Sequence, residues 1–210
     1  MELKMKIIRL EVGEIGTNCY LLCDEAARLA AVIDPGGDSE RILDALRETG
    51  CSAQMILLTH GHFDHTGAVA AVAMATGAKI YAHEEELRLL LSPAASMQSS
   101  FMGGPFTPIV PDAALHDGDT LTLGALTMSI LYTPGHTHGS CCILCGSVLF
   151  TGDTVFQGDI GRTDLPTASR TEMKASVTRI AALEGDYTLY PGHGPASTLA
   201  NERENNVYMR

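Results

Sequence analysis

Positive charge is scarce in this chain. Lys and Arg number 14 against 25 Asp and Glu, a net charge of −11. A surface this acidic repels phosphate backbones and anionic lipid, so neither nucleic acid nor a membrane is expected as a partner. Long apolar runs are missing too: no stretch approaches the roughly 18 residues of a membrane span. The longest run of small apolar residues, Ala68 to Ala73, is far shorter. The opening residues, MELKMKIIRLEVGEIG, interrupt their apolar positions with Lys4, Lys6, Arg9 and Glu11, leaving no core for an export signal. A soluble cytoplasmic chain is therefore expected. Neither a tandem repeat nor a dividing linker is present, so residues 1–210 are expected to form one domain. With 45% hydrophobic and 19% charged residues, disorder is excluded. A chain of this length can bury most of its apolar surface without covalent staples.

Cysteine is present but lacks the pattern of a disulfide framework. Cys19, Cys23, Cys51, Cys141, Cys142 and Cys145 are read as reduced thiols. Cys142 and Cys145 form a C-x-x-C pair inside the strand-like run SCCILCGSVLF. No second pair accompanies them, so they are read as small buried hydrophobes rather than a redox or zinc site.

The rest of the chain mixes strands and helices. Short bursts at 6–11, 18–23 and 30–34 read as strands separated by turns. A helix should follow, capped by Asp38 or Ser39, with Ile42, Leu43 and Leu46 inside and Gly50 as its stop. A strand over 54–59 leads to His60, and a helix is expected over 66–76. A short strand at 79–82 and a short helix at 84–91 come next. Residues 92–108, SPAASMQSSFMGGPFTP, show no period and read as a loop. Their Met97, Phe101, Met102 and Phe106 suit a lid or substrate wall hinged at Gly103-Gly104, with a surface loop that tucks them onto the core as the alternative. Strands at 120–123, 126–132, 141–145 and 148–151, a helix over 170–183 and a strand at 187–190 complete an α/β pattern.

The chemistry concentrates in Thr59-His60-Gly61-His62-Phe63-Asp64-His65. Composition alone would place H-x-H-x-D-H somewhere in this chain roughly 6 times in 10,000, so chance is a poor account of it. The segment lies between a strand end and a helix start, where four ligand-type groups can converge on one or two metal ions. His136 in TPGHT, Asp153 in FTGDT and His193 in PGHG each follow a strand beside a glycine, positions from which side chains can meet at one rim. Asp34, at a strand end before Pro35, is a candidate partner for a metal-binding histidine, with a turn-forming role as the alternative.

Together THGHFDHTG, TPGHTHGS, FTGDTVF and PGHG resemble the metallo-β-lactamase-fold hydrolases, within them the small glyoxalase II-like (hydroxyacylglutathione hydrolase-like) branch. GDIGRTDLP, from Gly158 to Pro166, fits that branch and its persulfide dioxygenase cousins. The resemblance implies an αβ/βα sandwich of two mixed sheets with helices on the outer faces. It implies that His60, His62 and His136 hold one metal, that Asp64, His65 and His193 hold a second, and that Asp153 bridges them. The cofactors would be two divalent ions, zinc foremost, with iron or manganese accepted by the same donors. A metal-bound hydroxide, oriented by Asp64 as the catalytic residue, would attack the carbonyl of a small-molecule thioester such as S-2-hydroxyacylglutathione.

Two departures bear on substrate. Only 17 residues follow His193, so no carboxy-terminal helical domain is expected to grip glutathione. Thr167-Ala168-Ser169 also stands where the branch has Gly-Gly after the proline. The alternatives are a mononuclear iron persulfide dioxygenase, a lactonase, and a non-catalytic metal-binding protein. A β-lactamase is disfavoured because those enzymes lack an aspartate at the place of Asp153 and are exported. A nuclease is disfavoured by the net charge. His138 is expected at the surface or pocket rim, His83 and His116 in solvent, and Arg162 in an ion pair with a neighbouring Asp.

Overall fold

The computed structural model describes residues 5–101 and 106–210. Three antiparallel strands open it: β1 (Met5–Val12), β2 (Thr17–Asp24) and β3 (Leu29–Ile33). Two crossovers follow. The first runs through α1 (Ser39–Thr49) to β4 (Ser52–Leu57), and the second through α2 (Phe63–Thr66) and α3 (Val69–Thr76) to β5 (Lys79–His83). Both lay their strands down parallel, as helical crossovers do. A 3₁₀ turn at Glu84–Glu86, α4 (Leu87–Leu90) and α5 (Gln98–Phe101) lead to β6 (Ala113–Leu115), which closes a six-stranded sheet in order β1-β2-β3-β4-β5-β6.

The second sheet begins as a meander of β7 (Thr120–Leu123), β8 (Leu126–Tyr132), β9 (Cys141–Cys145) and β10 (Val148–Gly152). A small hairpin, β11 (Val155–Phe156) with β12 (Asp159–Ile160), precedes α6 (Arg170–Ala181). β13 (Thr188–Pro191) then joins β10 in parallel, β14 (Ser197–Thr198) forms the edge, and α7 (Leu199–Asn205) ends the fold. The order is β14-β13-β10-β9-β8-β7.

Strand alternation explains how the layers stack. Every residue of β2 is buried, because its two faces serve two cores. Cys19, Leu21 and Cys23 face α1 and α3, where Ile42, Leu46, Val69 and Val72 complete an outer core. Tyr20 and Leu22 face inward and meet Met128, Ile130, Ile143 and Phe150 of the other sheet. A third core beneath α6 and α7 joins Met173, Val177, Ile180 and Leu199 to Leu149 and Leu189. Each fully buried Leu or Ile in these layers contributes about 1.5–3 kcal/mol. The result is the expected αβ/βα sandwich.

All six cysteines are free thiols. Cys142 and Cys145 point to opposite faces of β9, one into the third core beneath α6 and one between the sheets, so the C-x-x-C spacing is a strand accident. Among the described residues no helix is long and apolar enough to cross a membrane.

Several expectations need correction. The helix expected over 66–76 is two pieces, because the chain breaks at Gly67-Ala68. Asp38 does not cap α1 through its side chain: it is left-handed (φ 50°), and its carboxylate accepts instead from the Gly13 N–H at 3.0 Å. Strands β6, β11, β12 and β14 are two or three residues long, too short to show a period. Within 92–108, Gln98–Phe101 is helical rather than irregular. The expectations for Met102, the Gly103-Gly104 hinge and the side chain of Phe101 lie outside the described residues.

Candidate metal centre

The two crossover-rich halves of the sandwich end at one rim. His60 and His62 follow β4, Asp64 and His65 sit on α2, His136 lies between β8 and β9, Asp153 follows β10, and His193 follows β13. All seven sequence-derived candidates meet there. His60, His62 and His136 form one group whose donor atoms lie within 4.8 Å of one another; Asp64, His65 and His193 form another, and a third joins Asp153 to His60 and His65. Asp153 stands between the first two. Its Oδ2 is 3.5 Å from His136 Nε2 and 3.6 Å from His193 Nε2, and its Oδ1 is 3.4 Å from His65 Nε2.

Three of the rings are turned by a hydrogen bond on the far side. The His136 Nδ1–H donates to the Arg162 carbonyl at 2.9 Å, which leaves Nε2 facing the cluster. His65 Nδ1 lies 3.0 Å from Asp34 Oδ2, so its Nε2 faces Asp64, Asp153 and His193. Thr59 Oγ1 donates to the same Asp34 oxygen at 2.6 Å and lies 3.2 Å from His60 Nδ1. The Thr59 N–H binds Asp34 Oδ1 at 2.8 Å. One buried carboxylate therefore orients a histidine in each group, which is the partner role considered for Asp34. On the far side, Thr17 Oγ1 donates to Asp64 Oδ2 at 2.9 Å.

Close packing fixes the rim as well. A Cβ at Gly192 would land on Asp153 Oδ1 and come within 2.6 Å of His65 Cε1, so no larger residue fits between them.

The electrostatics are those of a cation site. Burial drives the His62 pKa down to about 3, aided by the charge of His136, and burial with the neighbouring histidines also holds His60 neutral. Neutral imidazole is the metal-binding form. In the second group burial opposes the charged form of His65, yet Asp64, Asp153 and Asp34 outweigh it and raise its pKa to about 10. Burial likewise opposes ionised Asp64, but His65, His193 and Thr17 hold its carboxyl well below the usual range. The carboxylates crowd one basic nitrogen and call for positive charge. Within the cluster three buried atoms make no hydrogen bond: His60 Nε2, His62 Nε2 and Asp153 Oδ1. Unsatisfied buried polar atoms of this kind are expensive unless a ligand completes them. His62 Nδ1 and His136 Nε2 face each other at 2.9 Å, one hydrogen bond if His62 carries its proton on Nδ1 and two converging metal-donor nitrogens if it does not. Nitrogen and carboxylate oxygen in tight groups suit zinc, iron or manganese.

A cavity of about 420 Å³ opens onto the cluster. Ile15, Met97, Phe156, Ile160 and Leu165 give it apolar walls, while His62, Asp64, His136, Asp153 and His193 supply the polar floor. Met97 thus takes the wall position expected of the 92–108 segment. Phe106 lines a neighbouring cavity of about 630 Å³ that shares Ile15, Phe63 and Asp64 with the first.

The sequence matches the family model of the Metallo-beta-lactamase superfamily over residues 12–193. The chain belongs to the metallo-β-lactamase superfamily. It is 32% identical to hydroxyacylglutathione hydrolase GloC of Haemophilus influenzae, over 98% of each chain. Among solved structures, this superfamily member resembles the BLEG-1 B3 metallo-beta-lactamase, with a TM-score of 0.91 and 37% identity, covering 97% of this chain and 99% of that one. It also resembles TTHA1623, solved in a di-iron-bound form, with a TM-score of 0.86 and 33% identity over 96% and 99% of the two chains.

The remaining histidines separate cleanly from the cluster. His138 is exposed and takes no part in it. His116 is half-exposed beside Glu84 and Asp119, as expected. His83 contradicts expectation: it is buried, stacked on Tyr132 at 4.2 Å, because the parallel pairing of β5 with β6 turns it inward. Arg162 forms the expected ion pair, a two-pronged contact with Asp164 at 2.7 and 2.8 Å.

Sequence reasoning missed Glu86. It is fully buried and accepts from the Gly61 N–H at 2.9 Å, the Gly139 N–H at 2.8 Å and the Thr137 hydroxyl. One carboxylate thereby ties the His60–His62 loop to the His136 loop. Burial raises its pKa to about 7 against those three donors. In the sequence it is one of three consecutive glutamates, and nothing local marks it out. Asn18 and Tyr20 were missed for a similar reason: both bond the Pro191 carbonyl and so fix the turn that carries His193.

Proposed function

We propose that this metallo-hydrolase superfamily member hydrolyses a small thioester of the S-2-hydroxyacylglutathione type. The observation that carries the reading is the doubled donor set with Asp153 between its halves. A pair of ions serves hydrolysis, whereas a mononuclear iron dioxygenase would leave half of the set idle. His60, His62 and His136 would hold one ion, Asp64, His65 and His193 the other, and Asp153 would contact both. Bound there, divalent ions supply Lewis acidity and lower the pKa of water enough to give hydroxide near neutral pH.

The chain's own residues do the rest. Thr17 holds Asp64 Oδ2, so this carboxylate is fixed where it can orient the attacking water. Asp34 keeps the His65 ring from turning as charge moves through the site. The walls formed by Met97, Phe156 and Leu165 seat an apolar acyl group and exclude bulk water. No side-chain nucleophile is needed.

The reading is supported by the likeness to a protein named hydroxyacylglutathione hydrolase. The likeness to a protein named a B3 metallo-beta-lactamase makes a β-lactam the necessary control. The site works in a cytoplasmic, soluble protein on this proposal, with a small molecule rather than nucleic acid as its partner.

Metal-replete protein should be assayed against S-2-hydroxyacylglutathione, a lactone and a β-lactam, and its oxygen uptake followed with glutathione persulfide. Thioester turnover exceeding the other three is the expected result. Oxygen uptake with no thioester turnover would replace this reading with the dioxygenase.

A further inference from the structure

We propose that Glu202 and Asn206, at the end of the chain, are positioning residues: they clasp the β11–β12 hairpin and so hold Phe156 as the wall that selects the acyl group. The inference rests on the hydrolase reading above and deepens it by naming what sets acyl preference.

The hairpin is too small to hold its own shape. β11 and β12 contribute two residue pairs, Val155 with Ile160 and Phe156 with Asp159. A two-stranded hairpin is marginal in water even at greater length. Val155 is buried in the third core and roots the base. The far end, Gln157 to Asp159, is exposed. Yet Phe156 and Ile160, which flank that end, line the cavity of about 420 Å³ over the metal centre. The Phe156 ring stands 6.2 Å from the His193 ring, at 74° to it.

Support comes from α7 and the residue after it, 44 and 47 residues away in sequence. Glu202 Oε2 accepts from the Gly158 N–H at 2.7 Å, at the turn of the hairpin. Asn206 Nδ2 donates to the Asp159 carbonyl at 3.0 Å and to Glu202 Oε2 at 3.0 Å. The Tyr208 N–H binds Asn206 Oδ1 at 3.0 Å, which fixes the orientation of the amide. On its other oxygen Glu202 accepts from the Ser197 hydroxyl and from Asn201 Nδ2 at 2.8 Å. Glu202 and Asn206 are both fully buried.

Packing alone does not call for a carboxylate there. Among the described residues no cation pairs with Glu202, and an apolar side chain of similar volume would fill the space without the desolvation cost. Burial opposes its ionisation, but the Ser197, Gly158, Asn201 and Asn206 donors outweigh it and hold its pKa below the ordinary value. What the charge gains is a directional hold on a turn that the core does not reach. The ligand loops are anchored separately. Gly161 lies against the Asp153 carbonyl, where a Cβ would collide, and the Arg162 carbonyl accepts from His136. Loosening the clasp therefore frees the wall and leaves the metal donors in place.

The test compares Glu202→Ala, Glu202→Gln, Asn206→Ala and Ser197→Ala in the full-length protein. Ser197 bonds to the same carboxylate and to no part of the hairpin, so its variant reports a purely structural effect. Amide exchange across residues 157–160 should quicken about tenfold in Glu202→Ala and Asn206→Ala, with β10 and β13 unchanged. Glu202→Gln keeps an oxygen for Gly158 and should recover most of the protection. Steady-state kinetics on thioesters of one thiol, from acetyl to octanoyl, give the second readout. KM for the octanoyl substrate should rise about 3–10-fold in the two alanine variants of the clasp, while kcat and the KM for acetyl stay at parent values. Ser197→Ala should leave both readouts at parent values. Should Glu202→Ala not fold, Asn206→Ala carries the comparison. A uniform change across the acyl series, or the same split from Ser197→Ala, would overturn the proposal. If the parent turns over no thioester, the hydrolase reading falls and exchange decides the clasp: faster exchange at 157–160 in Asn206→Ala upholds it, and unchanged exchange overturns it.

Discussion

Glu86 allows the sharpest calculation. Replacing it by alanine removes the acceptor for the Gly61 and Gly139 N–H groups, both buried with it. The Thr137 hydroxyl keeps a partner in Ser140 Oγ at 2.7 Å. Two orphaned N–H groups at about 1–3 kcal/mol each give a loss of about 2–6 kcal/mol, a large part of a typical domain's stability. The loss should depend on pH. The folded pKa of Glu86 is raised from 4.5 to about 7, so the folded state holds this proton more tightly than the unfolded state. The associated stability is fully present below pH 4.5 and is lost as the pH rises through about 7. Glu86→Ala lacks this dependence, so the gap between parent and variant should narrow by about 3 kcal/mol between pH 4.5 and 8. Urea unfolding of the metal-free proteins across that range measures it. Metal retention against a chelator should fall in parallel, because the two ligand loops lose their tie. A gap below 1 kcal/mol that does not change with pH would refute the reasoning.

Other perturbations test single contacts. Asp34→Asn swaps one acceptor oxygen for a donor beside Thr59 and His65; metal affinity, measured by chelator competition, should fall about 10–100-fold. Asp153→Ala should lower kcat/KM by several orders of magnitude, while His138→Ala leaves it near the parent value. Comparable losses would mean that the 133–140 loop is wrongly understood. Thr167 is β-branched yet left-handed at φ 69°, and its hydroxyl is buried without a partner. Thr167→Gly should therefore raise stability by about 0.5–1 kcal/mol, the strain relieved less the entropy of glycine, and a lower melting temperature would contradict it.

Much of this was legible because it is local. H-x-H-x-D-H is contiguous, and His136, Asp153 and His193 each carry a strand before them and a glycine beside them, so their types and positions could be read directly. The longer strands and α1 declared themselves by alternation and by Gly50. What stayed hidden depends on distant partners. Glu86 acquires its role only when β5 brings it beneath two loops, 25 and 53 residues away in sequence. His83 is buried by pairing and by stacking on Tyr132, neither of which leaves a sequence trace. The break at Gly67-Ala68 was obscured by an alanine-rich run that favours helix throughout. At the break the Ala68 N–H turns to the Pro35 carbonyl at 2.9 Å, and α2 packs against bare backbone at Gly36, where a Cβ would strike the Asp64 carbonyl.

The central claim is a paired metal site with Asp153 between its halves. Anomalous diffraction from a metal-replete crystal, collected on both sides of the metal's absorption edge, tests it most directly. The account predicts two peaks per chain, one among His60, His62 and His136 and one among Asp64, His65 and His193, with an Asp153 carboxylate oxygen in contact with each. A single peak among the first three histidines at saturating metal, with Asp64 and His193 unliganded, would contradict it.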